Sequence, residues 1–174
     1  TSFVNSALVS QGYKVGMFTS PSIYNFEERI RINNKNISED KLIDLMNEVR
    51  EVAETMEVFP ADFELVTAIA FLYFYREKCD FAIMEVGLGG RLDATNVVQN
   101  PLITLITSIS LDHQQFLGNT IPEIALEKAG IIKENVPLVL YSQSKEAMDS
   151  IIGVANSKNS KVILNDLEKI ELLE

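Results

Sequence analysis

The sequence has few of the features that place a chain in a membrane, outside the cell or on nucleic acid. It contains a single cysteine, Cys79, which excludes an intramolecular disulfide and is typical of a reducing compartment. No apolar run approaches the ~18 residues that a membrane span requires, and no secretion signal is recognisable. Basic residues are outnumbered, with 15 Lys and Arg against 25 Asp and Glu and a net charge of −10. We therefore expect a cytoplasmic protein that binds neither membranes nor nucleic acid.

The composition is that of a globular domain. Hydrophobic residues make up 47% of the 174 residues and charged residues 23%, which is enough for one domain with a buried core. Apolar periodicity predicts strands at 14–18, 29–33, 81–86, 102–109, 137–141 and 161–164. It predicts helices at 1–11, 39–56, 63–78, 120–130 and 145–155.

This alternation of strands and helices is typical of an α/β fold. It predicts a doubly wound, mainly parallel sheet with helices on both faces. The run 29–33 alternates in polarity, which indicates an edge strand followed by a turn at Asn33-Asn34. The run 102–109 is continuously apolar, which indicates a strand covered on both faces. The stretch after Leu164 is short for another complete unit.

Ligand-binding residues in an open α/β sheet lie beyond the carboxyl ends of the strands. In this chain the rule selects 19–21, 85–95, 108–118 and the turn after Tyr141. Glu85 follows the apolar run FAIM, where a carboxylate is costly to bury without a cation or a hydrogen-bond donor. The position of Glu85 supports two interpretations equally. The carboxylate is bonded to loop amides, or it is a Mg²⁺ ligand.

Two further polar residues have a structural explanation as well as a functional one. His113 is the only histidine and comes just after a predicted strand, where Asp112 and Gln114 are candidates to orient its ring. A lone histidine is more often a surface or structural residue, and a structural zinc site is not expected without a second one. Lys128 lies in the last turn of a predicted helix, where a lysine complements the helix dipole.

Two nucleotide-binding signatures are absent from the sequence. The glycines of GLGG at 87–90 do not form a G-x-G-x-x-G fingerprint, because Leu92 stands where the third glycine is required. No G-x-x-x-x-G-K-[ST] loop occurs anywhere in the 174 residues. The glycines by themselves therefore predict no more than a tight turn.

Several motifs, taken together and in order, resemble a known family. They are TSP at 19–21, NFEERI at 25–30, FE at 63–64, EVGLGGRLDATN at 85–96, LDHQ at 111–114 and EKAGII at 127–132. In this order they resemble the folylpolyglutamate synthase and dihydrofolate synthase family, the folate branch of the Mur-ligase superfamily. The similarity extends over 1–133, and EVGLGGRLDATN is its most specific part.

The resemblance implies an ATP-dependent amide ligase. In such an enzyme a carboxylate of a folate or dihydropteroate substrate takes the γ-phosphoryl group of ATP, and the amino group of L-glutamate then displaces phosphate from the acyl phosphate. Divalent ions neutralise the phosphoryl charge and align the groups. The cofactors that the resemblance implies are ATP and Mg²⁺, and the partners are the folate substrate and L-glutamate.

The resemblance also implies a role for individual residues. It implies metal ligands at Ser20, Glu85, His113 and Lys128, the last as a carbamylated lysine, and catalytic roles for His113 and Lys128. The substrate contacts that it implies are Ala61, Asp62, Phe63, Glu64, Leu92, Asp93 and Ala94. It implies no nucleotide-binding residue in this chain, because the phosphate-binding loop is absent.

The chain departs from the family in what it lacks. The resemblance implies a phosphate-binding loop, of the form G-T-N-G-K-G-[ST], directly before the helix that begins here at Thr1, and a C-terminal domain, and we expect both to lie outside these 174 residues. We therefore expect 1–174 to be part of a single central ATPase domain of a longer ligase. We expect this part to be inactive alone and the complete protein to be a monomer.

Two alternatives to a folate ligase remain open. One is an amide ligase of another Mur-type pathway, against which the segments from TSP to ERI and LDHQ favour the folate branch. The other is a non-catalytic binding module that keeps the fold without a phosphate-binding loop. The encoded sequence just upstream of Thr1 distinguishes the second alternative, because a glycine-rich loop with a lysine there supports the enzyme.

Overall fold

A four-stranded sheet forms the centre of the first part of the chain. The computed structural model describes residues 1–165, which fall into two units divided between Gly87 and Leu88. The sheet of the first unit has the order β3-β2-β1-β4, with β1 at Val15–Phe18, β2 at Ile30–Ile32, β3 at Lys35–Asn36 and β4 at Phe81–Met84. The helices of this unit are α1 (Ser2–Ser10), α2 (Glu39–Ala53) and α3 (Asp62–Arg76).

The strands of the first unit combine parallel and antiparallel pairing. β1 and β4 are parallel, with Phe18 opposite Met84, whereas β2 is antiparallel to both of its neighbours. Asn33 and Asn34 have φ values of 48° and 66°, which is the backbone of a tight hairpin turn. The predicted edge position of the 29–33 strand is therefore wrong. The turn returns the chain as β3, and the two-residue β3 takes the edge instead.

Helices α2 and α3 close the core of the first unit on one face of its sheet. Phe18 and Ile30 from the sheet pack with Leu45 of α2 and Phe74 of α3, and all four side chains are buried. The Ser38 hydroxyl accepts a hydrogen bond from the Lys41 amide at 3.4 Å and so caps α2, as its sequence predicts.

Helix α1 is unlike the other two helices of this unit. Phe3, which the apolar period groups with Val4, is 94% exposed, and the buried residue of α1 is Asn5. The Asn5 amide donates to the Asn34 side-chain oxygen at 2.6 Å, so a polar contact joins α1 to the hairpin turn.

A parallel three-stranded sheet organises the second unit. Its elements are β5 (Thr104–Ile106), α4 (Gln114–Leu117), α5 (Ile121–Ala129), β6 (Leu138–Leu140), α6 (Lys145–Ser157) and β7 (Val162–Leu164). The strand order is β5-β6-β7, and both pairings are parallel. Ile106, Leu138 and Leu140 pack with small side chains of α5 and α6 in a single buried cluster.

The expectation for the 102–109 run is wrong in two respects. The strand is limited to Thr104–Ile106, and Leu105 at its centre is 50% exposed. Because side chains alternate along a strand, burial of Ile106 against the helices turns Leu105 to the other face. Leu105 there lies opposite Val139, and no helix of the second unit's core cluster covers it among the described residues.

The α/β class predicted from the sequence is confirmed, as are strands and helices at the predicted places. The short helix α4 was not predicted, and the segment after 165 lies outside the described residues. Between residues 1 and 165, no helix is both long and apolar enough to cross a membrane.

Candidate active-site residues

Ser20 and Glu85 lie together at one edge of the first unit's sheet. β1 and β4 are parallel, so the residues that follow them emerge at the same edge, and the Glu85 amide donates to the Phe18 carbonyl at 3.0 Å. The Ser20 amide donates to Glu85 Oε2 at 3.2 Å, and the Thr1 hydroxyl donates to Glu85 Oε1 at 3.1 Å. The structure thus brings together the two predicted metal ligands of this unit.

The surroundings of Glu85 fit a hard divalent cation. Its carboxylate is half-buried, and no lysine or arginine among the described residues forms an ion pair with it. The Thr1 hydroxyl lies 3.1 Å from Glu85 Oε1, and Ser20 contributes its backbone amide to the carboxylate and also carries a hydroxyl. Hydroxyls and a carboxylate are donor types that Mg²⁺ prefers. The bond from the Ser20 amide confirms the loop-amide interpretation of Glu85, which is compatible with the Mg²⁺ interpretation, and the latter stays a prediction.

The predicted substrate segment 61–64 forms the start of α3. The Phe63 ring packs against Gly87 so closely that a Cβ on Gly87 would lie 2.5 Å from Phe63 Cζ, and the ring centroid lies 5.7 Å from that of Phe18. Glu64 accepts a hydrogen bond from the Ala61 amide at 2.7 Å, which caps the helix. Asp62 and Ala61 are exposed.

A separate cavity of about 620 Å³ lies between α2 and α3. Its walls are mainly apolar, and they include Met56, Phe59 and Leu72. Of the predicted site residues only Glu64 lines this cavity, so it is distinct from the edge where Ser20 and Glu85 meet.

In the second unit the predicted substrate residues 92–94 belong to a loop that hydrogen bonds within the loop hold in shape. Asp93 Oδ1 accepts from the Thr95 amide and hydroxyl at 2.9 and 2.5 Å, and Oδ2 accepts from the Leu88 amide at 3.0 Å. Leu92 is 81% exposed at the tip of the loop, and Ala94 is half-buried. The loop-forming role of Asp93 was missed, although Asp followed two residues later by Thr is a sequence signal for such a turn.

The same loop packs on the last turn of α5, where Lys128 lies. The Arg91 amide donates to the Glu127 carbonyl at 2.9 Å, and the Arg91 guanidinium pairs with the Glu127 carboxylate at 2.9 Å. A Cβ on Gly130 would lie 2.4 Å from Arg91 Cα. Gly130 has a φ of −58°, so its absence of a side chain serves this close approach rather than a left-handed helix end.

Lys128 itself is half-buried and without a carboxylate partner in the described part of the chain. The neighbouring carboxylate of Glu127 is taken by Arg91, which leaves the Lys128 amine available for other chemistry. Nearby, Lys133 donates to the Asn96 carbonyl at 3.0 Å, and burial together with the charge of Lys158 lowers the pKa of Lys133.

His113 occupies a left-handed backbone position in front of α4. Its φ is 49°, its amide donates to Asp112 Oδ1 at 2.8 Å, and its carbonyl accepts the Leu117 amide at 3.0 Å. The ring is more than half exposed, with Nε2 3.7 Å from Asp112 Oδ2. Asp112 therefore contacts the His113 backbone and lies beyond hydrogen-bond distance of its ring, and no hydrogen bond from Gln114 to the ring is present between residues 1 and 165, so the orienting role of both residues stays a prediction.

The four predicted metal ligands are divided between the units. Ser20 and Glu85 meet in the first, and His113 and Lys128 both belong to the second, where no hydrogen bond or ion pair within the described residues joins them. Within residues 1–165 no group of three or more His, Cys, Asp and Glu side chains forms a metal-binding cluster. Such a group counts only His, Cys, Asp and Glu, whereas the predicted ligands also include a serine hydroxyl and a modified lysine. The four predicted ligands are therefore neither confirmed nor excluded by this finding.

Comparison with known proteins gives a consistent result. Residues 37–171 match the family described as the Mur ligase middle domain. The dihydrofolate synthase/folylpolyglutamate synthase of Bacillus subtilis is 50% identical over 154 residues, which are 86% of this chain and 36% of that protein. The chain therefore spans about a third of the length of this relative.

Two solved structures share the fold. The folylpolyglutamate synthase of Thermotoga maritima is 45% identical with a TM-score of 0.83, over 92% of this chain and 37% of that one. A folylpolyglutamate synthase in complex with AMPPCP and folate is 35% identical with a TM-score of 0.89, over 94% and 41%. Since the family match covers most of the sequence and includes residues of both units, the chain belongs to the Mur ligase middle-domain family.

Proposed function

We propose that the whole protein is an ATP-dependent ligase that joins L-glutamate to a carboxylate of a folate or dihydropteroate. The observation that carries this proposal is the contact between Ser20 and Glu85 at the carboxyl edge of the parallel pair β1 and β4. It lies in a chain that is 50% identical to a dihydrofolate synthase/folylpolyglutamate synthase. A related synthase has been solved with AMPPCP and folate, which supports ATP and a folate as the substrates.

In the proposed reaction the substrate carboxylate attacks the γ-phosphorus of ATP and ADP leaves. The glutamate amine then attacks the acyl carbon, loses a proton and expels phosphate, which leaves the new amide. Mg²⁺, when bound, supplies neutralisation of the phosphoryl charge. Glu85 and Ser20 would hold one ion, and His113 and carbamylated Lys128 would hold a second.

The remaining predicted residues have roles in binding and orientation. Phe63 offers an aromatic ring that contacts Gly87 and Phe18, and an aromatic ring suits the flat ring system of a pterin. Leu92 offers an exposed apolar side chain at the tip of a loop that Asp93 holds in shape. Ala61, Asp62, Glu64 and Ala94 complete the proposed substrate contacts.

We propose further that 1–174 belong to one ATP-binding central domain of a monomeric, cytoplasmic protein. The family match supports the domain assignment, because it extends through residues of both units. The single cysteine supports a reducing compartment. Sedimentation of the whole protein tests the monomer.

The test of the ligase is turnover of the whole protein with ATP, L-glutamate and either dihydropteroate or a reduced folate. Glu85→Gln removes the charge and keeps the size, so we expect kcat to fall by roughly 100-fold or more and the Mg²⁺ requirement to rise. The matched control is Glu57→Gln, because Glu57 is an exposed carboxylate of the same unit. We expect this control to behave as the wild type.

Two results would contradict the proposal. If Glu85→Gln keeps wild-type turnover and Mg²⁺ dependence, Glu85 is only a structural residue bonded to the Ser20 amide. If the wild type ligates no pteroate or folate but extends a cell-wall precursor, the protein is a Mur-type ligase of another pathway.

A further inference from the structure

The side chain of Asn96 joins the 88–97 loop to the end of α5. Its amide nitrogen donates to the Arg91 carbonyl at 3.1 Å and to the Gly130 carbonyl at 3.2 Å. Its own main-chain carbonyl accepts the Lys133 amine at 3.0 Å. Asn96 therefore bonds to Arg91 within the loop, to Gly130 at the end of α5 and to Lys133 beyond that end.

The contact that these bonds hold together has no spare room. A Cβ on Gly90 would lie 2.9 Å from the Lys128 carbonyl oxygen, and one on Gly130 would lie 2.4 Å from Arg91 Cα. Backbone thus lies directly on backbone at the turn that carries Lys128. Such a surface transmits a small displacement of the loop to the turn, because most of the atoms in this contact belong to the backbone, which moves aside less readily than the end of a side chain.

We propose that Asn96 is a positioning residue for Lys128, a role that rests on the proposed carbamylation of that lysine. The amide of Asn96 fixes the carbonyls of Arg91 and Gly130, and the two backbones in contact hold the turn from Glu127 to Gly130. Without the amide both carbonyls lose a donor, and the turn gains freedom to move away from the loop. The direct consequence is a less defined position for the Lys128 Nζ atom.

The position of Nζ matters because carbamylation is reversible. The neutral amine attacks the carbon of dissolved CO₂, an N–C bond forms, one C–O π pair moves to oxygen, and the amine proton passes to water. The product replaces a cation by an anion with two oxygen donors. A carbamate persists where its oxygens are bound. A turn that keeps the Lys128 backbone in one place limits the positions that Nζ can reach, and we expect it to raise the carbamylated fraction at a given CO₂ concentration.

The experiment measures that fraction directly in the whole protein with Mg²⁺ present. Bicarbonate labelled with ¹³C is titrated in, and the carbamate carbon is observed by ¹³C NMR. We expect Asn96→Ala to need roughly tenfold more bicarbonate or greater for half-carbamylation. The matched control is Asn156→Ala, because Asn156 is an exposed asparagine of the same unit on α6, and we expect no shift.

Each outcome decides one question. Equal half-carbamylation in Asn96→Ala and the wild type overturns the positioning role while the role of Lys128 stands. No carbamate signal in the wild type overturns the proposed role of Lys128 and the inference with it. If Asn96→Ala does not fold, Asn96→Ser keeps one donor and carries the same titration, with a smaller shift expected and no shift overturning the inference.

Discussion

The imidazole and the backbone of His113 contribute separately, because the residue combines an exposed ring with a left-handed φ of 49°. Its carbonyl also accepts two amides at the start of α4, those of Phe116 and Leu117. A substitution that changes the ring can therefore also disturb the turn. Only residues such as Asn, Asp and Gly adopt this backbone at low cost.

We expect His113→Asn and His113→Ala to separate these two contributions. Asn tolerates the left-handed backbone, so His113→Asn should keep the wild-type thermal midpoint and lose most ligase turnover. His113→Ala should lose the same turnover and also about 1 kcal/mol of stability. Thermal unfolding and kcat of both variants of the whole protein are the measurements. Full turnover in His113→Asn would show that the backbone position is the only contribution of this residue.

Gly118 and Gly130 require the absence of a side chain for different reasons. Gly118 has a φ of 119°, which a side chain disfavours, whereas Gly130 has an ordinary helical φ and is limited by the Arg91 backbone. The sequence places Gly130 at a helix end, and that position alone suggests a left-handed cap. The close approach could not be predicted, because Arg91 is distant in the chain.

At the scale of elements, packing of α3 on β1 depends on a missing side chain at Gly16. A Cβ there would lie 2.5 Å from the Cδ1 and Cγ atoms of Phe74, whose side chain is only 4% exposed and cannot move aside. We expect Gly16→Ala to destabilise the chain by about 2 kcal/mol through overpacking. Adding Phe74→Leu should recover part of that loss, since the clash involves the ring.

The control for this prediction is a glycine with open space around it. Gly153 lies in α6, and a Cβ added there would have no atom of the described residues within 4 Å. Gly153→Ala should therefore stabilise the chain by about 0.5–1 kcal/mol. Urea unfolding of the three variants gives the comparison. A neutral Gly16→Ala would mean that α3 shifts on the sheet at little cost.

The capping box at the start of α5 predicts a pH dependence. Glu123 accepts from the Asn119 and Thr120 amides at 2.7 and 3.1 Å, and these bonds lower the pKa of its carboxyl below the usual 4.5. A carboxyl whose pKa is lower in the folded state adds stability above its unfolded pKa and loses it as the pH falls through the folded pKa. The stabilisation is therefore present at pH 7 and is lost below about pH 4.5.

We expect Glu123→Gln to lower the thermal midpoint at pH 7 and to lose this difference from the wild type as the pH falls below about 4.5. Glu134→Gln is the control, because Glu134 is an exposed carboxylate of the same unit. The measurement is the thermal midpoint of the three proteins between pH 3 and 7. A difference that stays constant over this range would show that the charge of Glu123 is irrelevant to the cap.

Local signals predicted the elements well, and distant contacts could not be predicted. Ser38 and the Thr120 capping box mark helix starts that the structure has at the same residues, because capping acts within one turn. The parallel-strand rule likewise selected the segments 19–21 and 85–95, and Ser20 and Glu85 from these segments lie in contact, whereas the predicted convergence of His113 with them stays a prediction. The hairpin order of β2 and β3 and the exposed face of Leu105 depend on strand pairing, which periodicity does not determine.

At the scale of the whole chain, the predicted site residues serve metal and substrate and none serves the nucleotide phosphates. Family similarity extends through residues of both units, yet the chain spans 36% of the length of its relative from Bacillus subtilis. The 174 residues contain no glycine-rich loop with a lysine of the phosphate-binding type. Such a loop supplies the amides and the cation that bind β- and γ-phosphates.

We therefore expect the isolated 174-residue chain to bind AMPPCP more weakly than ~1 mM and to release no ADP from ATP. Glu85 and Ser20 supply oxygen ligands for a cation but no donors for the phosphates. Without such donors, the net charge of −10 repels the anionic nucleotide. Calorimetric titration of the isolated chain and of the whole protein, both with Mg²⁺, is the measurement, and the whole protein should bind in the micromolar range. Saturable binding by the isolated chain at similar affinity would place the phosphate donors within these 174 residues and would require a site that uses other groups than a glycine-rich loop.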